Sequence, residues 1–229
     1  ASRLSKGDTS LLAEMHATTS GLKVLISSSG VQDIETARRS MGGHGYSAFA
    51  GLGRIYNDYL PSVTFVLSFT LHEQVGNHLI DRYEGDNFVL DKQVVRAALK
   101  SISRFSSSPK PDASALSPSS AYLRLLLPGS GSPPTSPPTI AQWLAPETAV
   151  SLLEWRAALV VKELAKNVKE PDASVYQRVS KAVTEAFVGR QVGDTIASLG
   201  QALGAKEGEV VKKLLTLVRL IVLRLHIEF

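Results

Sequence analysis

The chain has 229 residues, 44% hydrophobic and 20% charged, with a net charge of +4 and no cysteine. That length allows one large or two small domains with a real core, and the composition is ordinary for a soluble protein. It excludes disulfides, thiolate metal sites and a thiol nucleophile, and no apolar run is long enough to span a bilayer. The basic residues are spread: Lys162, Lys166 and Lys169 share one helical stripe, and Lys212, Lys213, Arg219 and Arg224 lie near the end. Without interleaved aromatics they read as solvated helix faces, so no nucleic-acid partner is expected. No secretory signal or terminal Ser-Lys-Leu is legible. Both ends fall within helix-forming sequence and are expected to be cut.

From Ser10 to Met41, apolar residues recur at helical spacing: Leu11, Met15, Leu22, Ile26, Ile34, Ala37 and Met41. Gly21 and Gly30 each cost about 1 kcal/mol against alanine, which is compatible with a kink or with two helices. The small residues Ser27 to Gly30 would let a second helix or a ligand approach closely. His16 reads as packed or partly exposed rather than catalytic. Ala48 to Pro61 is expected to be turn and irregular structure carrying Tyr56 and Tyr59 as aromatic anchors.

Residues 66–83 alternate weakly, and His72 and His78 are six apart, which matches no common metal spacing; no metal site is expected. Phe88 to Arg104 is amphipathic, with Leu90, Val94, Ala98 and Ile102 on one stripe and Lys92, Arg96 and Lys100 on another; it is expected to pack on the first helix. Between Phe105 and Thr139, eight prolines preclude a regular helix or sheet, and only Ala121 to Leu127 is apolar enough to dock. Pro146 and Glu147 suit the first turn of a helix to about Val168. Pro171 opens another, with Val175, Val179, Ala182, Val183 and Ala186 inward. Gly189, Gly193, Gly200 and Gly204 are expected to punctuate a turn or a further helix, and Lys206 to Ile227 forms the last one. No strand pattern is evident. The expected fold is therefore all-α: a helical domain over 1–104, a Pro/Ser-rich linker over 105–140, and a second, truncated helical domain over 141–229.

Two clusters carry the chemistry. Arg38 to Tyr46 ends a helical pattern with Gly42, Gly43 and Gly45, three glycines in four residues, a cost accepted only where the backbone bends sharply or something comes very close. It lacks both the strand-led dinucleotide fingerprint and the Gly-Lys-Ser/Thr of a phosphate loop. Glu84-Gly85-Asp86-Asn87 sets a carboxylate beside a flexible glycine, with Asp86 and Asn87 expected as caps of the following helix. From the residues alone, Glu84 is a helix-entry carboxylate and the glycines a helix stop.

The order of motifs reverses that reading. Ala13-Glu14-Met15-His16-Ala17, Gly21-Leu22-Lys23, Glu35-Thr36-Ala37-Arg38, G-G-H-G-Y-S from Gly42, G-L-x-x-I-Y from Gly51, P-x-V-T from Pro61, E-G-D-N from Glu84 and V-V-R-A-A-L-K from Val94 together resemble the acyl-CoA oxidase family, flavin enzymes related to the acyl-CoA dehydrogenases. The resemblance is specific over roughly the first hundred residues and looser beyond. It departs where residues 66–83 intervene between P-x-V-T and E-G-D-N; removing them restores the family pattern, so they read as a retained intron, or else as a tolerated surface loop. Met41 and Gly53 also stand where the family often has cysteine and proline.

The resemblance implies FAD as cofactor, acyl-CoA and oxygen as substrates, a homodimeric full-length enzyme and a peroxisomal location. It implies Glu84 as the base that takes the α-proton, Gly85 as the residue that lets the substrate thioester come close, and Gly42, Gly43 and Gly45 as flavin contacts. A non-catalytic helical interaction module derived from the fold, or a dehydrogenase relative, are the alternatives.

Overall fold

A single unbroken helix, α1 (Leu12–Ser40), dominates the first part of the chain: Gly21 and Gly30 neither kink nor divide it. In this computed structural model the described residues are 12–64, 86–107, 116–127, 139–143, 145–166, 171–202, 204, 206–211 and 213–214. Among them every regular element is helical and none is a strand, in keeping with the all-α expectation. Outside them lie Glu84, Gly85, the segment 66–83 with both its histidines, most of the linker prolines, and the apolar run from residue 215 onward.

The elements after α1 are α2 (Leu52–Tyr59), α3 (Asn87–Ser107), α4 (Ile140–Trp143), α5 (Pro146–Lys166) and α6 (Ala173–Ala202). Two expectations need correcting. Residues Ala48 to Pro61 are not irregular: a short 3-10 turn ends at Gly51, whose φ of +72° breaks the chain direction, and α2 follows. Gly189, Gly193 and Gly200 do not punctuate anything either, because α6 runs through them to Ala202. At Gly189 there is a packing reason, since a Cβ there would lie 3.0 Å from Leu153 Cδ1 on α5.

By packing the chain divides into one unit of Ala1–Ala97 with Pro171–Ser180 and a second of Ala98–Glu170 with Lys181–Phe229. In the first, Leu90, Val94 and Val95 of α3 and Tyr176 and Val179 of α6 are buried. The contribution of α1 is unusual: its buried residues are Ser20, Gly21 and Ser27, while Met15 and Ile26 are half-exposed or more. Apolar periodicity located the helix but not its contact face, which is made of small residues. Small side chains permit the backbone-close approach that polar contacts with α3 require: Ser20 Oγ donates to Gln93 Oε1 at 3.5 Å, and Ser27 meets Asn87.

The second unit is centred on α5 and the later part of α6, with Ala149, Val150, Leu153, Ala157, Ala158, Val161 and Leu164 buried on one side and Ala182, Val183 and Ala186 on the other. The one apolar stretch of the linker, Pro118–Leu126, is a 3-10 helix that docks through buried Tyr122 and Leu123. The prolines of this span predict no regular helix, but Pro118 sits at the first helical position, where a missing N–H costs nothing. A buried carboxylate fixes this unit. Glu154 accepts Arg124 Nη1 and Nη2 at 3.1 and 2.5 Å and Arg190 Nε and Nη2 at 3.0 and 3.1 Å. Two forked guanidiniums thus saturate its lone pairs, the condition under which a buried charge is tolerated.

Candidate functional site

The Gly42–Tyr46 turn and the described end of the second cluster, Asp86-Asn87, lie on the first unit, and each is tied to α1 by one cationic side chain. At the C-terminal end of α1 that residue is Arg38. Its guanidinium is 4.7 Å from the Tyr46 ring and 4.8 Å from the Tyr56 ring, and Nη1 donates to Glu35 Oε2 at 3.2 Å. Stacking between two aromatic faces is worth on the order of 1 kcal/mol per ring when partly desolvated. Its Nε is buried and has no hydrogen-bond partner, so the stacking, not full hydrogen bonding, holds the side chain in place. Tyr46 ends the 3-10 turn Gly42–Tyr46 and Tyr56 belongs to α2, so Arg38 joins α1 to both of these elements. Tyr59 adds a second tie, its ring lying over Gly30 and its hydroxyl donating to the Ile26 carbonyl at 3.4 Å.

The three glycines of the turn are not equivalent. Gly45 is buried, and a Cβ there would fall on the Arg38 carbonyl, so its lack of a side chain is required by the fold. Gly42 has φ +59°, the left-handed region, and its Cβ would meet nothing. Gly43 is exposed, has no positive φ, and would also meet nothing. Among the described residues nothing demands glycine at 43, and the Gly42-Gly43 backbone is exposed.

The second cluster is organised by Lys23. Its Nζ donates to Asn87 Oδ1 at 2.7 Å and to the Val63 carbonyl at 3.4 Å. Asn87 Nδ2 in turn donates to Ser27 Oγ at 2.9 Å and Ser28 Oγ at 3.0 Å. Asn87 was expected to cap α3; it is instead the first helical residue, 6% exposed, with its amide turned back onto α1. The capping is done by Asp86, whose Oδ1 accepts the Phe88 N–H at 2.8 Å. Eleven residues separate Ser27 from Arg38, so at 1.5 Å per residue the two clusters attach about 16 Å apart along α1. Glu84 and Gly85 lie just upstream of Asp86, outside the described residues.

Sequence reasoning missed both hubs, Arg38 and Lys23, although the small residues Ser27 to Gly30 signalled that something approaches α1 closely. It also missed Asp91, 2% exposed on α3, whose Oδ1 has no hydrogen-bond partner. Burial pushes its carboxyl up to about 6; the nearby Ser180 hydroxyl, short of a proper hydrogen bond, opposes this, and the Asp86 charge adds to it.

Residues 1–80 match the sequence model of the acyl-CoA oxidase C-alpha1 domain. The chain is 30% identical over 214 residues to the peroxisomal acyl-coenzyme A oxidase 1 of Arabidopsis thaliana, a match covering 89% of this chain and 28% of that protein. With the human peroxisomal acyl-coenzyme A oxidase 1 the figures are 32% over 186 residues, 79% and 24%. The solved structure of Arabidopsis thaliana acyl-CoA oxidase 1 superimposes with a TM-score of 0.67 at 29% identity, covering 99% of this chain and 32% of that one. The chain therefore spans under a third of the length of these relatives. Its motifs, its sequence along most of its length and its helical fold agree: the chain belongs to the acyl-CoA oxidase family, of which it represents a C-terminal portion.

Proposed function

We propose that the chain is the C-terminal portion of a flavin-dependent, peroxisomal acyl-CoA oxidase. Such an enzyme desaturates acyl-CoA between Cα and Cβ to trans-2-enoyl-CoA and passes the electrons to oxygen, giving hydrogen peroxide, a step of fatty acid β-oxidation. The observation that carries this is the relationship to named oxidases along almost the whole chain; the contacts of Arg38 with Tyr46 and of Lys23 with Asn87 on α1 are consistent with it.

Glu84 is the base in this reading. Its carboxylate takes the α-proton while the Glu84 backbone N–H donates to the thioester carbonyl, stabilising the developing enolate charge. Gly85 lets the substrate come that near. Asp86 starts α3, and the positive end of the helix favours the anionic base. FAD, when bound, accepts the hydride from Cβ. Gly42 and Gly43 fit contact with its nucleotide portion, because their backbone is exposed and unobstructed; Gly45 supports them from behind by packing on Arg38. Most of the remaining cofactor and acyl contacts come from polypeptide beyond these residues, and in the homodimer from a second subunit. Phe49, 97% exposed, and half-exposed Tyr46 and Ile55 belong to the surface such neighbours would cover.

An oxidase assembled from residues 1–229 and the part of the Arabidopsis relative they do not cover tests the proposal. It should bind FAD and release peroxide from palmitoyl-CoA, and Glu84→Gln should lower turnover by roughly 10²- to 10⁴-fold, the usual worth of a positioned base. Full turnover in the Gln variant would overturn the role of Glu84. A colourless, inert assembly would instead indicate the non-catalytic helical module.

A further inference from the structure

We infer that Arg38 is a positioning residue for the exposed Gly42-Gly43 backbone; the inference rests on the reading of these two glycines as flavin contacts. Arg38 meets the turn at both of its ends. At the start, the Arg38 carbonyl accepts the Met41 N–H at 3.3 Å. At the far end, that same carbonyl occupies the place of a Gly45 Cβ, and the guanidinium lies 4.7 Å from the Tyr46 ring. Gly42, Gly43 and His44 lie between these attachments and are exposed. A pair of glycines is the freest main chain a protein can offer, and Gly42 already sits at φ +59°. With its two ends fixed on one residue, that main chain is held in a single arrangement before any ligand arrives.

Arg38 is itself held from outside the turn. Tyr56 of α2 presents a second ring at 4.8 Å, and Glu35 Oε2 accepts Nη1 at 3.2 Å. The helix α2 is anchored on α1 independently, through the Tyr59 ring over Gly30 and the Tyr59 hydroxyl on the Ile26 carbonyl. Tyr56 is therefore a fixed wall. The Arg38 side chain is 15% exposed, and its buried Nε has no hydrogen-bond partner. An arginine kept for solubility would hold its guanidinium in water with every N–H satisfied; here the ring contacts offset an unsatisfied donor. Two such contacts shift the balance between a seated and an unseated turn by roughly 5- to 30-fold. A ligand that binds only the seated turn loses apparent affinity as that population falls.

The assembled oxidase described above, stripped of flavin and titrated with FAD, decides the matter. Binding is read from quenching of flavin fluorescence, at a temperature where circular dichroism shows each apoprotein folded. Arg38→Met, which keeps the apolar stem and removes the cation, should raise the Kd for FAD by roughly 5- to 30-fold. Arg38→Lys, which keeps a cation over the rings, should recover affinity to within about threefold of the parent. In the same flavin-free proteins, amide exchange at Met41 and Ser47, whose N–H groups are held by the Arg38 and His44 carbonyls, should quicken about tenfold in Arg38→Met. Exchange at Phe88, held by Asp86 at the start of α3, should keep its rate. A Kd within about twofold of the parent in folded Arg38→Met overturns the inference, even if stability falls. So does an equal loss in Arg38→Lys, or an equal quickening at Phe88, the mark of general loosening. Should Arg38→Met fail to fold, Tyr56→Leu, which removes one ring without altering the turn, is read by the same two measurements. Failure of the underlying reading is separate: it appears as undiminished FAD affinity in Gly43→Ala, whatever Arg38 does.

Discussion

Replacing the three glycines of the turn with alanine, one at a time, should produce three different outcomes. At Gly45 the new Cβ falls on the Arg38 carbonyl, a backbone atom that cannot rotate away, so either the last turn of α1 or the 3-10 turn must move. Forcing atoms into a packed site costs about 1–3 kcal/mol. Displacing Arg38 from its place between Tyr46 and Tyr56 adds about 1 kcal/mol or more; the total is about 3 kcal/mol. At Gly42 only the left-handed backbone at φ +59° matters, worth roughly 1 kcal/mol. At Gly43 there is neither obstruction nor strain, and restricting the unfolded chain should stabilise the variant by about 0.5 kcal/mol. Urea unfolding of each variant, followed by helical circular dichroism, resolves differences of this size. A Gly45→Ala variant as stable as the parent, or a Gly43→Ala variant losing more than about 1 kcal/mol, would refute the reasoning. The same series probes the proposed flavin contact: if Gly43 lies against FAD as proposed, Gly43→Ala in the assembled oxidase should keep its stability yet bind FAD more weakly.

Other outcomes follow from the same structure. Glu154→Gln leaves Arg124 and Arg190 converging on a neutral amide whose NH2 opposes one of them, and should cost about 2–4 kcal/mol in chemical denaturation; a loss under about 0.5 kcal/mol would show the clamp to be dispensable. The Asp91 carboxyl is raised to about 6 in the folded chain from 3.8, so the folded state binds more protons between those values and stability should fall as pH rises from about 4 to 6. Asp91→Asn should match the parent near pH 4 and exceed it at pH 7 by up to about 3 kcal/mol; identical pH profiles would contradict this. Deleting residues 66–83 should leave the first unit folded. Lys23 Nζ reaches oxygens of both Val63 and Asn87, at 3.4 and 2.7 Å, which puts them within about 6 Å of each other, and the five residues left between can span up to about 20 Å. The shorter connection lowers the closure cost by about 1 kcal/mol, so a fall in unfolding midpoint would argue that the segment contributes packing of its own.

The helices were legible in the sequence wherever a local signal marks them. Periodicity marked α1, α3 and the start of α6, Pro146 and Glu147 marked the start of α5 and Asp86 that of α3, and the order of short motifs pointed to the family. These are properties of a few neighbouring residues, which is why one dimension suffices. What the tertiary structure decided is which partner each residue meets. Asn87 has the ordinary identity of a cap, but Lys23, 64 residues away, and Ser27 claim its amide. Gly42, Gly43 and Gly45 look alike in the sequence, yet only Gly45 lies against a carbonyl of the preceding helix. The buried face of α1 is Ser20, Gly21 and Ser27 rather than its apolar stripe, because close polar contact with α3 needs small residues, whereas a pattern of hydrophobicity records only where water is avoided.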